Sequence, residues 1–453
     1  MPDQVNETPH HPADERPGQD ALHVSRLTAH LFRHEAARLT SVLTRAFGIE
    51  RLELAEDVVQ EALARALQTW PFYGVPENPV AWITQTARNL ALDVIRREAV
   101  FRDKQREIAD LIERVTADGA AAEPAPSLDD EITDARLRLM FACCHPLVPP
   151  DAQAALALKT LCGFGPGEIA AAFLSTEAAV LKRLTRARQK IRELRVPLEI
   201  PAGDGLAPRL DGVLQTLYLL FNEGYKASSG DRLIREDLCH EAIRLATLLA
   251  SHQAGDTPRT HALVSLMLLS AARLPARVDD GGNLLRLRHQ DRSRWDRAMI
   301  ARGLAHLGRS ADGDELSEYH LHAGIAACHC TAADDASTDW PRILTLYDRW
   351  AAMNDSPVVA LNRAVAVAAV HGPAAGLDAV AATEDRGALE SYYLLYAVLA
   401  EFESQLGRHA RAAAHLRDAL RLTDVTSERA FLSAKLAACE GRAAAAAGAL
   451  TAP

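Results

Sequence analysis

An all-α fold is predicted by three observations. Ala, Leu, Arg and Glu, strong helix formers, dominate the 453 residues, while aromatic and other strand-favouring residues are few. Apolar residues recur at three- and four-residue steps, the spacing of a buried helix face. Proline and glycine gather at a few places and divide that pattern into blocks. A chain of this length holds two to four domains, each large enough to bury its own core.

The blocks follow in order. Residues 1–21, rich in Pro, Asp, Glu, Gln and His, bury too little apolar area to order themselves. Residues 22–100 read as several helices. Val58, Val59, Ala62, Leu63, Ala66 and Leu67 form one buried stripe, Trp70 to Asn78 is expected to break the helix into a loop, and a helix restarts near Val80 and runs to Arg97. Residues 101–134 have linker character, strongest in the Ala/Pro/Asp-rich run from Ala117 to Asp130. Helical periodicity returns over 135–198, broken at Pro149–Pro150 and from Gly163 to Gly167, and Val196 to Pro208 is a second boundary. Beyond it lie a helical extension, 199–335, and a repeat-bearing segment, 336–453. In the latter, Ala360 to Leu377 aligns with Leu395 to Ala412, and the step from Gly372 to Gly407 is close to the ~34 residues of a tetratricopeptide (TPR) repeat. TPR-like helix pairs are expected there, with a plain Ala-rich bundle as the other reading.

Composition narrows the function. A net charge of −10 argues against nucleic-acid binding over the whole surface, so a DNA reader of this balance must concentrate its basic charge. No apolar run approaches the ~20 residues that cross a bilayer, no signal-type start is present, and seven cysteines without a CxxC pair fit reduced thiols in the cytoplasm. His320, His322, Cys328, His329 and Cys330 resemble a zinc set, but 328, 329 and 330 point about 100° apart on a helix and cannot all hold one ion; Cys143–Cys144–His145 fails likewise. With no phosphate loop and no nucleophile elbow, neither enzyme, metal nor cofactor is expected. Asn222–Glu223, Asp291 and Asp296 are read as helix caps and partners of Arg292 and Arg294.

Two segments carry chemistry. In the first, Asp57, Gln60, Glu61 and Arg65 share a polar face opposite the apolar stripe. It continues through Phe72, Tyr73 and Asn78 to the helix Ala81-Trp82-Ile83 … Arg88-Asn89-Leu90-Ala91, where Trp82 is read as core. In the second, Pro166-Gly167-Glu168 opens a short helix, Ser175-Thr176 before Glu177 makes an N-cap, and the next helix carries Lys182, Arg183, Arg186, Arg188, Lys190, Arg192 and Arg195. The small Ala170 admits that helix, with Val180 and Leu184 packing back. This is the localised basic stripe that an acidic DNA reader needs.

In this order, the segments resemble regions 2 and 4 of extracytoplasmic-function (ECF) RNA polymerase sigma factors. The resemblance rests on Ala55-Glu56-Asp57-Val58-Val59-Gln60-Glu61-Ala62-Leu63 and the Trp82 helix, then on Val180-Leu181-Lys182-Arg183-Leu184-Thr185-Arg186-Ala187-Arg188. Leu174 and Ser175 depart from the usual Gly-aliphatic turn, and Leu181 stands where a polar residue is commoner. The resemblance implies a transcription initiation factor that binds core RNA polymerase (β′ and β subunits) and promoter DNA. Asp57, Gln60 and Glu61 would face a basic β′ coiled coil. Phe72, Tyr73, Asn78, Arg88 and Asn89 would handle the −10 strand, since an extruded base needs aromatic faces to stack on and amides to bond its edges. Thr176, Glu177, Lys182, Arg183, Arg186 and Lys190 would meet the −35 duplex. Leu217 to Tyr225, Asp291 to Asp296 and Glu318 to Leu321 resemble the extension of an ECF subgroup with a C-terminal TPR-like domain, where the extension takes the place of a separate anti-sigma factor. An intramolecular contact between extension and sigma core follows as an expectation. Two other readings stay open: a helix-turn-helix regulator with a TPR sensor, and a TPR adaptor with a vestigial DNA module.

Overall fold

A computed structural model describes residues 35–102 (without 37), 128–194 (without 174) and 207–450, the last without 228–233, 253–254, 280–284, 384–385 and 424. The polar 1–21 segment, the Ala117–Ser127 part of the linker, the Val196–Leu206 part of the boundary, and Leu174 lie outside the described residues. Those described are helical, with no β-strand among them. The chain divides into two compact units, Met1–Thr216 and Leu217–Pro453.

In the first unit a helix over 38–47 (α1) leads through a short turn at Ile49–Arg51 into α2 (Leu52–Tyr73) and α3 (Pro79–Arg102). Leu39, Leu43, Phe47, Val58, Val59, Ala62, Leu63, Trp70, Ile83, Ala87 and Ile95 make one core around the crossing of α2 and α3. The expected stripe is buried except for Leu67, which is 46% exposed; it rotates onto the solvated side as the helix advances past Ala66. The expected break at Trp70 is also corrected. Pro71 sits inside α2, and the helix ends only at Gly74, whose φ of 83° and N–H···O bond to Trp70 (3.0 Å) close the last turn. Proline removes one ladder bond here, near the end of a helix anchored by buried Trp70, and the loop shrinks to Gly74–Asn78. Trp82, read as core, is half-buried and packs against this core, edge-on to Trp70 at 5.5 Å.

The second half of this unit comprises α4 (Leu128–Cys143), α5 (Pro150–Cys162), α6 (Pro166–Ala172) and α7 (Glu177–Leu194). Helices α3 and α4 each reach into the stretch read as linker. Pro149–Pro150 starts α5, and Gly163, at φ 67°, ends it. The beginning of α8 (Ala207–Tyr225) packs on this bundle: Arg209 donates to the Phe141 carbonyl at 3.2 Å, and Gly212 lies so close to Cys144 and Gln153 that a Cβ would collide. Burial pushes the Cys144 thiol up to about 12.

The second unit is built from α9 (Glu236–Ser251), α10 (Pro258–Ala271), α11 (Arg297–Ser310), α12 (Glu318–Thr331), α13 (Trp340–Met353), α14 (Pro357–His371), α15 (Pro373–Ala381), α16 (Tyr393–Gln405), α17 (His409–Arg421) and α18 (Thr426–Leu450). Gly372 and Gly407 both have positive φ (92° and 75°) and both turn one helix into the next, α14 into α15 and α16 into α17. At Gly376 a Cβ would stand 2.6 Å from that of Ala368 and 2.9 Å from the Phe402 ring, so the first pair closes on a residue without a side chain.

The polar residues of the extension serve its fold. Asp296 caps α11 (Met299 N–H, 2.8 Å) and Asp291 caps the turn before it, as read. The expected bridge to Arg292 is corrected: its guanidinium donates to the carbonyls of His329 and Ala332 (2.7 and 2.8 Å), the unpaired acceptors at the end of α12. His320 bonds Ser317 and the Ser310 carbonyl, and His322 lies against Trp350 and Tyr218. Glu401 is held by Arg286 (2.6 Å), Arg288 (3.3 Å) and Lys435. Burial alone would raise its carboxyl, but Arg286 and Lys435 outweigh that and hold it well below the usual range.

Candidate nucleic-acid interface

On α2, Asp57, Gln60 and Glu61 are exposed together on the face opposite the core, and Glu61 pairs with Arg65 at 3.0 Å. Desolvation and the neighbouring Glu53 raise the Asp57 carboxyl above its ordinary value, while Arg188 partly offsets them. At the end of α2, Phe72 and Tyr73 are 83% and 88% exposed, on its last turn rather than in a loop. Two rings left in water at the mouth of a positive-φ glycine are not needed by the core. Asn78 caps α3, its Oδ1 accepting from the Ala81 N–H at 3.0 Å. About three turns further along α3, Asn89 is exposed and its Oδ1 accepts from Gln85 (2.9 Å), with Arg88 half-buried beside it. The aromatic pair, the Asn78 cap and Asn89 thus belong to a single helix–loop–helix.

The helix-turn-helix is α6 and α7. Glu168 turns back onto the Gly165 N–H (2.7 Å) to start α6. The Thr176 hydroxyl accepts from the Ala179 N–H at 3.3 Å and starts α7, which commits that oxygen to capping, and Glu177 stands in the first turn. Val180, Leu184, Ala187 and Ile191 are buried, so the opposite face carries the charge. Lys182, Arg186 and the departing Leu181 are exposed, Lys190 is half-buried, and Arg183 lies 3.9 Å from Asp151.

Two of the stripe's cations point elsewhere. Arg188 meets Glu56 of α2 at 2.5 Å, and Arg192 meets Glu53 at 2.8 Å. Glu56, only 8% exposed, also accepts from the Thr160 hydroxyl of α5 at 2.6 Å. The sequence shows an acidic stripe and a basic one. It does not show that they face each other, because the ion-paired partners lie 132 and 139 residues apart.

Residues 31–100 match the sigma-70 region 2 family, and residues 209–311 match a family of unknown function, DUF6596. An uncharacterized protein of Rhizobium meliloti is 38% identical over 388 residues, 85% of this chain and 90% of its own length. Two ECF RNA polymerase sigma factors of Mycobacterium tuberculosis are also similar. SigL is 32% identical over 146 residues, 32% of this chain and 75% of its own. SigG is 27% identical over 238 residues, 49% of this chain and 60% of its own. No solved structure matches the chain. A region 2 match over α1 to α3, together with a relative at SigL's identity covered over three quarters of its length, assigns the chain to the ECF family of RNA polymerase sigma factors, which act in transcription initiation.

Proposed function

We propose that this sigma factor docks on core RNA polymerase through Asp57, Gln60 and Glu61, captures the −10 strand with Phe72, Tyr73, Asn78, Arg88 and Asn89, and reads the −35 duplex with the outer face of α7. The observation that carries the reading is the pair of solvated rings, Phe72 and Tyr73, beside an exposed Asn89 on the region 2 fold. Bases stack on such faces at about 1–3 kcal/mol each, whichever base is presented. On α7, Lys182 and Arg186 reach solvent from a helix whose other side is core, the disposition that lets side chains enter a major groove, and Thr176, Glu177, Arg183 and Lys190 flank them. Polymerase would be met through its β′ subunit by α2 and through β by the second module.

The extension is proposed to set the activity of the sigma core within the same chain, with TPR-like helix pairs α14–α15 and α16–α17 as its binding elements. The recurring positive-φ glycines and the small-residue packing at Gly376 support that reading, since stacked helix pairs make surfaces that accept a helix. Run-off transcription with purified core polymerase tests the whole. The full chain should give promoter-dependent transcripts, and Gln60→Ala/Glu61→Ala should lose co-purification with the core enzyme while keeping its helicity. A chain ending after α8, at Tyr225, should change transcript yield. Equal yield from that chain would make the extension a passenger.

A further inference from the structure

Helices α16 and α18 both pack on α17 and leave between them a cleft of about 390 Å³, within the size range of small-molecule sites. Spacing builds its walls. Ala400, Glu401, Ser404 and Gln405 share one face of α16, and Lys435, Ala438, Cys439 and Arg442 share one face of α18, both at one- and three-residue steps. Buried Leu416 of α17 closes the floor, and exposed Arg288, from the single turn Leu287–His289, completes the lining. Ala400, Ser404 and Ala438 are small, which leaves the space open.

The cleft is short of negative charge. Three cations line it, Arg288, Lys435 and Arg442, while the described residues of the lining offer one carboxylate, Glu401. Its Oε1 accepts from Arg288 (3.3 Å) and Gln405 (3.1 Å), and its Oε2 from Arg286 (2.6 Å) and Lys435. A guanidinium carries five N–H donors and an ammonium three, so one acid leaves most of them unspent. Arg442 has no ion-pair partner among the described residues. Lys435 feels the imbalance: burial and the charge of Arg286 lower its ammonium below the ordinary value, and the bond to Glu401 offsets them only in part. A cluster that merely fastened the 287–289 turn to α16 and α18 would be complete with Arg286, Glu401 and Lys435. It accounts for neither Arg442 nor the open volume.

We propose that this cleft binds a small organic anion of the phosphate-monoester class, its head among Arg288, Lys435 and Arg442 and its apolar body on Ala400, Leu416 and Ala438. A phosphoryl group suits these donors because it offers nearly two charges and three terminal oxygens to cations from different elements, where a carboxylate offers one charge in one plane. A bare phosphate would leave most of the volume to water, at ~30 Å³ per molecule, and an attached body fills it. Binding does not depend on the sigma reading. Only its consequence does, since the site gives the extension's proposed control of the sigma core a chemical input.

Calorimetry on the full chain without polymerase tests the site with phenyl phosphate, and with phenol and inorganic phosphate as the body and the head alone. Phenyl phosphate should bind at a single site, more tightly than either fragment, and more weakly as salt rises. Arg442→Gln should weaken it roughly three- to tenfold at unchanged melting temperature, because that exposed side chain holds nothing in the fold. Ala438→Trp, at an exposed position and without a change of charge, should abolish binding by filling the cleft. No saturable binding of phenyl phosphate at millimolar concentration, or equal binding by wild type and both variants, overturns the site. Inorganic phosphate bound as tightly as phenyl phosphate would leave an adventitious ion only and overturn the organic ligand. A polyglutamate peptide bound more tightly than phenyl phosphate would give the cleft to an acidic protein segment and overturn it too. A chain that binds phenyl phosphate yet no polymerase would remove the sigma reading and leave the site standing.

Discussion

The two units use the same residue types in opposite ways. In the sigma unit, aromatic and basic side chains are left in water: Phe72 and Tyr73 at the end of α2, Lys182 and Arg186 on α7. In the extension they are consumed by the fold. The Arg277 guanidinium lies 3.6 Å from the Tyr225 ring centroid and donates to the Tyr225 carbonyl, Arg292 closes the end of α12, and Glu401 gathers Arg286, Arg288 and Lys435. Tyr218 packs on Tyr319 and His322. A cation or ring without a task in the core marks a surface built to meet something, whereas the same groups fully partnered mark scaffold. Substitutions in the first unit should therefore damage transcription and spare stability, and those in the second should do the reverse.

The largest effect that would break this contrast is on promoter opening. Phe72→Ala/Tyr73→Ala removes two stacking faces at about 1–3 kcal/mol each, so open-complex formation should fall by one to several orders of magnitude. Because both rings are exposed, the unfolding free energy should stay within about 0.5 kcal/mol of wild type. Permanganate footprints like the wild type's would remove these rings from the site. Next is Arg277→Ala, which deletes a charged hydrogen bond and a cation–π contact and should destabilise the extension by about 2–4 kcal/mol. Denaturant melts measure this, and binding of promoter duplex should be unaffected.

A third effect is pH-dependent. Burial, with help from the charge of Arg273, lowers His322 to about 4, against an unfolded value near 6.5. Between those values the unfolded chain binds a proton that the native chain does not, so stability is full above pH 6.5 and is lost as pH falls toward 4. That loss should be about 1–3 kcal/mol, and His322→Leu should flatten it. Melts at pH 7 and pH 4.5 showing the same slope for both proteins would contradict the assignment. The smallest effect sharpens the comparison most. Lys182→Ala should leave stability untouched and lower the salt slope of duplex binding by about one.

Much of this was legible because it is local. The α6–α7 turn follows from Glu168, Thr176 and the Val180/Leu184 spacing, and the paired hairpins follow from Gly372 and Gly407, residues whose conformations need no distant partner. Pro71 was misleading for a tertiary reason: Trp70 and Gly74 hold the last turn of α2 that proline alone would end. Leu67 misled because an apolar pattern says which residues could be buried, not where the stripe stops. The Asn78 cap was hidden in a loop read only for its amide chemistry. Arg292 on the end of α12 and Arg188 on Glu56 were beyond reach, since long-range ion pairing depends on which surfaces meet.

The buried Glu56 also has a bearing on how the protein is made. Its partners Thr160 and Arg188 are 104 and 132 residues downstream. At roughly 5–20 residues per second, the ribosome delivers the arginine about 7–25 seconds after the glutamate. The region 2 core, from Leu39 to Ile95, closes without either partner. During translation, then, this carboxylate waits hydrated on a finished bundle, and the nascent region 2 presents its acidic face unobstructed until the last turns of α7 have emerged.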